Sequence, residues 1–598
     1  MESKLVRGFL VSFLLCASLS GLPPRLHAEP LAGPSHLGLA LAGQSFAAAT
    51  STGQADAGTV GVRPTFFSAL PAGALTQVLV STMSDRELLG QVFMLGYDGD
   101  LPSPEILAWI RDHGLGGVKI FGWNATSLRA LTKSITMMQT AALGTRLHIP
   151  LLIATDQEGG WVRQIKGDTS VTPGNMAIGA TNLPSDAYKT GLYIGRELKS
   201  LGVNMDFAPD ADVYTNPRAD VIGSRSFGSD PTRVGLLAVA FYRGLREAGI
   251  ISAAKHYPGH GDAAGDSHLT LPVVNATFDQ IWSRDLVPFR MLIADGLPAI
   301  MSGHLAYPKV TGNRLPATLS KVFESEILRK RLGFHGLIVT DDMLMTGVEE
   351  TGLPLSQLCI AALEAGDDVV MISQTPALDS AVWTRLLERM KEDPAFRALI
   401  AKAAERVLRV KLDYLRGPNA VPLHPDADRP TLPDRRGESF FFEQACRSVT
   451  LIKGGAIPIR PIAGERILLA GQYHQFLDQG KLRYPQADTY YFSYSPFYWA
   501  REREITELRS LADRYDLIVF CLANPHSMQV LQSLKGIRAK VIVMSTLSPV
   551  YLRGVPWISS AIAVYGFGAD SFAAGFAVLA GDFRPVGKLP ITLLKGEF

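Results

Sequence analysis

The chain has 598 residues, of which 47% are hydrophobic and 19% charged. That is a globular composition, too long for one ordinary core, so two folded domains are expected and a disordered chain is excluded. A formal charge of +2 gives no basic field for a nucleic acid, and four cysteines without a C-x-x-C pair support neither a disulfide framework nor a thiolate zinc site.

In chain order, residues 1–28 resemble a secretory signal: Lys4 and Arg7, an apolar core from Phe9 to Leu19, then Gly21-Leu22-Pro23-Pro24 ahead of Leu26-His27-Ala28. The expected location is therefore periplasmic or extracellular. Leu15 before Cys16 is the wrong neighbour for a lipoprotein site, and no stable membrane span is expected. The cysteines beyond it, Cys359, Cys446 and Cys521, read as buried free thiols. Residues 29–77, rich in Ala, Gly, Ser and Thr, read as a flexible tether. Order is expected from Ser84-Asp85-Arg86-Glu87, a capping-box pattern.

Short apolar runs then alternate with helical segments: Val92–Leu95, Gly117–Phe121, Leu151–Thr155, Val203–Ala208, Ile250–Ala254, Ala299–Gly303, Leu337–Thr340 and Val369–Ile372. Asp230-Pro231 starts one of the intervening helices, with Val234, Leu237, Ala238, Phe241 and Leu245 on its apolar stripe. Eight strand–helix units imply a (β/α)8 TIM-type barrel over residues 78–415, with an open doubly wound sheet as the alternative. A Pro-rich linker (416–440) leads to a second, smaller domain (441–598). Its runs Arg466–Ala470, Leu517–Phe520, Val541–Met544 and Ala561–Tyr565 imply an α/β sandwich. No dinucleotide fingerprint or Walker loop occurs, and no cofactor is implied.

Polar residues gather at the C-terminal ends of the barrel runs, where barrel enzymes act. The third ends in Asp156-Gln157-Glu158, the fifth in Lys255-His256, the sixth in His304 and the seventh in Asp341-Asp342, while Arg225 follows the fourth. Asp341 is the nucleophile candidate; Asp342, pointing the other way in an extended chain, reads as a structural acceptor. The densest stretch is Lys255–Pro272, where Lys255 and His256 mark the hand-over from strand to loop, and Gly259, Gly261 and Gly265 permit tight turns and movement. Within it Asp266 and His268 can pair, the carboxylate fixing the imidazole tautomer and raising its pKa. The rival is a metal site assembled from His256, His260, Asp262, Asp266, His268 and His304.

Lys255-His256-Tyr257-Pro258-Gly259-His260-Gly261-Asp262 with Asp266-Ser267-His268 resembles the signature of the glycoside hydrolase family 3 β-N-acetylglucosaminidases. The resemblance extends to Asp156–Gly160, Arg225-Ser226-Phe227-Gly228, Gly333–Met343 and Gly587-Lys588-Leu589-Pro590. It implies a retaining exo-enzyme that releases terminal N-acetylglucosamine from peptidoglycan fragments or related glycans. Asp341 would be its nucleophile and His268 with Asp266 its acid/base pair, while Asp156, Arg225, Lys255 and His256 would hold the sugar. The carbohydrate is the one partner implied. Phosphorolysis, a metal-dependent hydrolase and a non-catalytic sugar-binding protein remain the alternative readings. One departure is Pro209-Asp210-Ala211-Asp212, where relatives usually carry an apolar pair before the Asp.

Overall fold

The structure is a computed structural model that describes residues 64–426, 432–493 and 502–592. The signal-like segment and most of the tether lie outside these residues. Eight parallel strands form the barrel: β1 (Phe93–Leu95), β2 (Gly117–Lys119), β3 (Leu152–Thr155), β4 (Met205–Asp206), β5 (Ile251–Tyr257), β6 (Ala299–Ser302), β7 (Leu337–Asp342) and β8 (Val369–Ile372). Each pairs with its neighbours in sequence, and β1 pairs with β8 in the register Phe93↔Val370, Met94↔Met371, Leu95↔Ile372. The sheet is therefore closed, not open. The strands read as apolar runs because both faces are covered, by barrel interior on one side and helices on the other.

Local chemistry sets the helix ends. Ser84 and Glu87 form the expected capping box, and Asp230 caps Pro231–Ala248 by accepting from the Arg233 N–H (2.9 Å). That helix stops at Gly249, whose φ of 91° is left-handed and costs a residue with a Cβ.

Two expectations about flexible segments are corrected. Order begins before Ser84: Phe66 is fully buried and donates its N–H to the Leu147 carbonyl (2.9 Å), and a helix spans Ala72–Thr82. Leu75 and Leu79, one turn apart, bury against the barrel, a two-residue stripe that Ala and Thr neighbours conceal in the sequence. The Pro-rich linker is likewise pinned down. Val421 enters the barrel core, the Asn419 carbonyl accepts from Lys199 Nζ (2.8 Å), and Arg435–Ser448 is already helix. A third correction concerns β5, which runs through Lys255 and His256 to Tyr257, with a register irregularity after Ala254.

The second domain has one six-stranded sheet: β9 (Thr450–Gly454), β10 (Ile467–Gly471), β11 (Asp488–Tyr491), β12 (Leu517–Leu522), β13 (Lys540–Thr546) and β14 (Ser560–Tyr565), in the order β9-β14-β13-β12-β10-β11. Helices cover both faces, each over its own apolar cluster. The four inner strands match the apolar runs. The two edge strands do not, because most of their residues are partly or fully exposed and carry no run of core side chains. Cys359 and Cys521 are buried free thiols, whereas Cys446 is half-buried. Among the described residues, no helix is long and apolar enough to cross a membrane.

Candidate active site

The site is built at the C-terminal ends of the barrel strands, and most of it is a lattice of buried charges. Lys119 at the end of β2 and Lys255 in β5 both bind Asp156, which directly follows β3; the Lys255 Nζ to Asp156 Oδ1 distance is 2.5 Å. Lys255 also reaches Glu158 Oε1 (2.7 Å). Arg225 grips the same carboxylate with two bonds, Nε to Oε2 (2.9 Å) and Nη2 to Oε1 (2.7 Å). Its Nη2 lies 3.1 Å from His256 Nε2, and His256 Nδ1 lies 2.7 Å from Asp212 Oδ2. This pattern fits an imidazole that donates from Nδ1 to Asp212 and accepts at Nε2 from Arg225. The four expected sugar-binding residues, Asp156, Arg225, Lys255 and His256, thus form one connected network.

Burial works against each ionised carboxylate here, and the cations decide the outcome. Desolvation alone would raise Asp156, but Lys119 and Lys255 hold it far below the usual carboxylate range. Glu158 follows the same logic with Arg225 and Lys255. Asp212 is held low by His256 and His260 against its own burial. Lys255 is raised despite full burial because Asp156 and Glu158 flank it. Lys119 is lowered, since burial outweighs the single Asp156 partner.

Asp210, the departure from the apolar pair, is fully buried and raised well above its ordinary value. Desolvation is the main cause and the neighbouring Asp212 the next, with Arg225 opposing. Its Oδ1 accepts from the Asp212 N–H (3.0 Å), and its Oδ2 makes no hydrogen bond, lying 3.6 Å from Arg225 Nε.

Asp341 sits near the end of β7, where its Oδ1 accepts from the Asp342 N–H (2.8 Å). Burial would raise its pKa, but His304, His256 and His268 around it hold the carboxyl below its ordinary value. Asp342 faces elsewhere, its Oδ1 accepting from the N–H groups of Leu344 (3.1 Å) and Ser373 (3.0 Å). It caps backbone and is raised by burial, as expected of a structural acceptor.

Asp266 and His268 form the expected pair on the loop after β5. His268 Nδ1 lies 2.6 Å from Asp266 Oδ1, which also accepts the His268 backbone N–H (2.9 Å). The imidazole is 63% exposed. Partial desolvation would lower its pKa, yet the Asp266 bond and charge, with Asp341 adding to them, raise it above the ordinary histidine value. Asp266 is correspondingly lowered against its burial. The loop reaches the short helix Thr346–Glu349, which follows the strand that carries Asp341, because the Gly347 N–H donates to the Ser267 carbonyl (2.9 Å). A Cβ at Gly347 would lie 3.0 Å from that oxygen and 3.2 Å from His304 Cβ, so a side chain there would press the loop outward by a few tenths of an ångström.

The ligands of the rival metal reading do not converge. Asp262 pairs with Arg284 (2.8 Å), His304 lies between the Thr318 hydroxyl and the Asp342 carbonyl (both 3.0 Å), and His260 Nε2 faces the Ser267 hydroxyl (3.3 Å). Among the described residues, the group whose ligand atoms approach within 4.8 Å of one another is Asp210, Asp212 and His256. Arg225 lies 3.6 Å from Asp210 and 3.1 Å from His256, so a guanidinium already supplies the positive charge there and the donors fit a metal poorly.

Sequence reasoning noted Glu158 at a strand end and Asp212 in the loop after the fourth strand without assigning either to the network, and it missed Lys119. The available signal for Glu158 was a charge just beyond an apolar run, whereas Lys119 lies inside the run Gly117–Phe121 and carries no such mark.

A family model described as "Glycosyl hydrolase family 3 N terminal domain" matches residues 84–410. The chain belongs to glycosyl hydrolase family 3. It is accordingly a glycoside hydrolase. Among family members, "Beta-hexosaminidase" of Methylobacillus flagellatus is 36% identical over 348 residues, covering 56% of this chain and 92% of that one. "Beta-hexosaminidase A" of Pseudoalteromonas piscicida is 36% identical over 323 residues, but this chain spans only 54% of its length. A solved glycoside hydrolase family 3 beta-N-acetylglucosaminidase from Paenibacillus sp. superimposes with a TM-score of 0.78 at 27% identity, covering 86% of this chain and 99% of that one.

Proposed function

We propose that the protein is a retaining exo-β-N-acetylglucosaminidase acting on peptidoglycan fragments or related glycans outside the cytoplasm. The observation that carries this reading is the pairing of an ionised carboxylate, Asp341, with an imidazole raised by Asp266, the two groups close enough for each to shift the other's pKa. A retaining glycosidase needs a nucleophile and an acid/base group on either side of the glycosidic bond.

In the first step an Asp341 oxygen attacks the anomeric carbon and the bond to the departing oxygen breaks, leaving a glycosyl ester. His268 Nδ1 is committed to Asp266, so Nε2 gives its proton to the leaving oxygen. In the second step the now neutral Nε2 takes a proton from water as that water attacks the same carbon and releases Asp341. Asp156, Arg225, Lys255 and His256 hold the terminal sugar. Asp156 is the most accessible of the four, with 18% of its side chain exposed, and offers an acceptor for sugar hydroxyls. The hexosaminidase and N-acetylglucosaminidase names of the relatives support the choice of N-acetylglucosamine as the leaving sugar unit.

The test is Asp341→Ala assayed on an aryl β-N-acetylglucosaminide and on the matching glucoside. The expected result is wild-type activity on the first substrate alone, lost in the folded variant. Unchanged activity in the variant would end the assignment. Product analysis in phosphate buffer distinguishes acceptors, free sugar supporting hydrolysis and a sugar 1-phosphate supporting phosphorolysis, because an imidazole left neutral by the first step does not repel an incoming anion as a carboxylate would.

A further inference from the structure

Every pocket side chain named above comes from the barrel, yet the second domain grips the loop that carries Arg225. This loop runs from β4 toward the Asp230 helix cap and contains only one short 3₁₀ turn, Gly223–Arg225. Its far end meets the chain's C-terminal segment. The Ser229 N–H donates to the Pro590 carbonyl (3.1 Å), and the Thr592 N–H donates to the Ser229 hydroxyl (2.7 Å). The fit is close, because a Cβ at Gly228 would stand 2.4 Å from the Pro590 oxygen. Nearer the middle, the Tyr551 hydroxyl donates to Asp220 Oδ1 (3.0 Å). Alongside these ties, Tyr214, Ala219 and Ile222 of the loop share a buried apolar cluster with Val550, Tyr565 and Ile591 of the second domain. Arg225 is held within this frame: its Nη1 donates to the Val221 carbonyl (3.1 Å), one residue from Asp220.

We propose that the second domain is a brace for substrate recognition, in which Tyr551 acting through Asp220, and Pro590 with Thr592 acting through Ser229, are positioning contacts that fix Arg225 where it meets the terminal sugar. Without them the loop would have to order itself each time the sugar binds, at a cost in backbone entropy. The barrel presets the side chain of Arg225 through Glu158 and its carbonyl through Asn175 Nδ2 (2.7 Å), while the second domain ties the loop on either side, at Asp220 and Ser229. This inference rests on reading Arg225 as a sugar-binding residue.

The experiment uses the full chain and two readouts: steady-state kinetics on an aryl β-N-acetylglucosaminide and competitive inhibition by free N-acetylglucosamine. Tyr551→Phe and Asp220→Ala each remove one tie, and about a 3- to 10-fold rise in KM and in the inhibition constant is expected with kcat within about twofold, since one net hydrogen bond is worth roughly that factor and the lost interaction is uniform binding. Asp220→Asn keeps an acceptor for Tyr551 and should restore near wild-type KM. In an Arg225→Gln background, where Glu158 retains Lys255, Tyr551→Phe should add nothing. A contact that merely supports the fold would lower the unfolding midpoint and leave KM alone. The brace is overturned if Tyr551→Phe and Asp220→Ala leave KM unchanged, or raise it equally with and without Arg225. Arg225→Gln alone leaving the inhibition constant unchanged would overturn the underlying reading and the brace together.

Discussion

The two halves of the candidate site are made of different material. Around Asp156, Glu158, Arg225, Lys255 and His256 the charges are almost fully buried, each satisfied by at least one partner from another strand or loop. Around Asp266 and His268 a short glycine-punctuated loop carries an exposed imidazole with one carboxylate partner. The contrast matches the tasks proposed for the two halves. Recognition of a sugar benefits from groups fixed in advance, because preset dipoles spend no energy reorganising. Proton delivery needs a group that reaches the glycosidic oxygen and then admits water, and a loop can do both.

The sharpest way to test the division is to remove one member from each half and compare activity with stability. His268→Ala should lose about 10²–10⁴-fold on natural disaccharides and much less on activated aryl substrates, whose leaving groups need little protonation. Its denaturant midpoint should stay close to wild type, because the imidazole is mostly exposed. An equal loss on good and poor leaving groups would contradict the acid/base role.

Glu158→Ala should behave in the opposite sense. It strands Arg225 and part of the charge of Lys255 in a buried site, and breaking a buried pair from one side costs about 3–5 kcal/mol. Urea unfolding should show that loss, whereas Asp266→Ala on the loop should change stability by less than about 1 kcal/mol, as exposed pairs do. Similar losses for both would erase the distinction between the halves.

The smallest effect is a shift in pH profile. In the proposed mechanism Asp341 attacks as the carboxylate, and it is held below its ordinary value, so it stays ionised well into acid. In the same proposal His268 acts protonated, and it is raised, so glycosylation should persist above the ordinary histidine range and fall as pH rises through its pKa. Asp266→Asn removes the carboxylate that stabilises the imidazolium, which lowers that pKa and moves the alkaline limb of kcat/KM to lower pH. A limb that stays in place would assign it to another group.

Much of this was legible in the sequence, and the illegible part has physical reasons. Eight buried strands read as apolar runs because both of their faces are covered, and the charges ending those runs marked the mouth. Strands β9 and β11 went unseen because sheet edges are solvated and need no such run. The partners Lys119 and Asp212 were hidden because pairing across a barrel depends on closure, which no local pattern encodes. Ser229 and Thr592, 363 positions apart, could be connected only by the fold.

The central claim is that Asp341 carries the sugar while His268 moves the proton. A fluorinated N-acetylglucosaminyl substrate that forms the glycosyl-enzyme faster than water releases it, followed by intact-mass measurement and peptide mapping, tests it directly. The account predicts one added sugar on the peptide containing Asp341, accumulating further in His268→Ala. Turnover with no covalent adduct, or an adduct on another carboxylate, would contradict it.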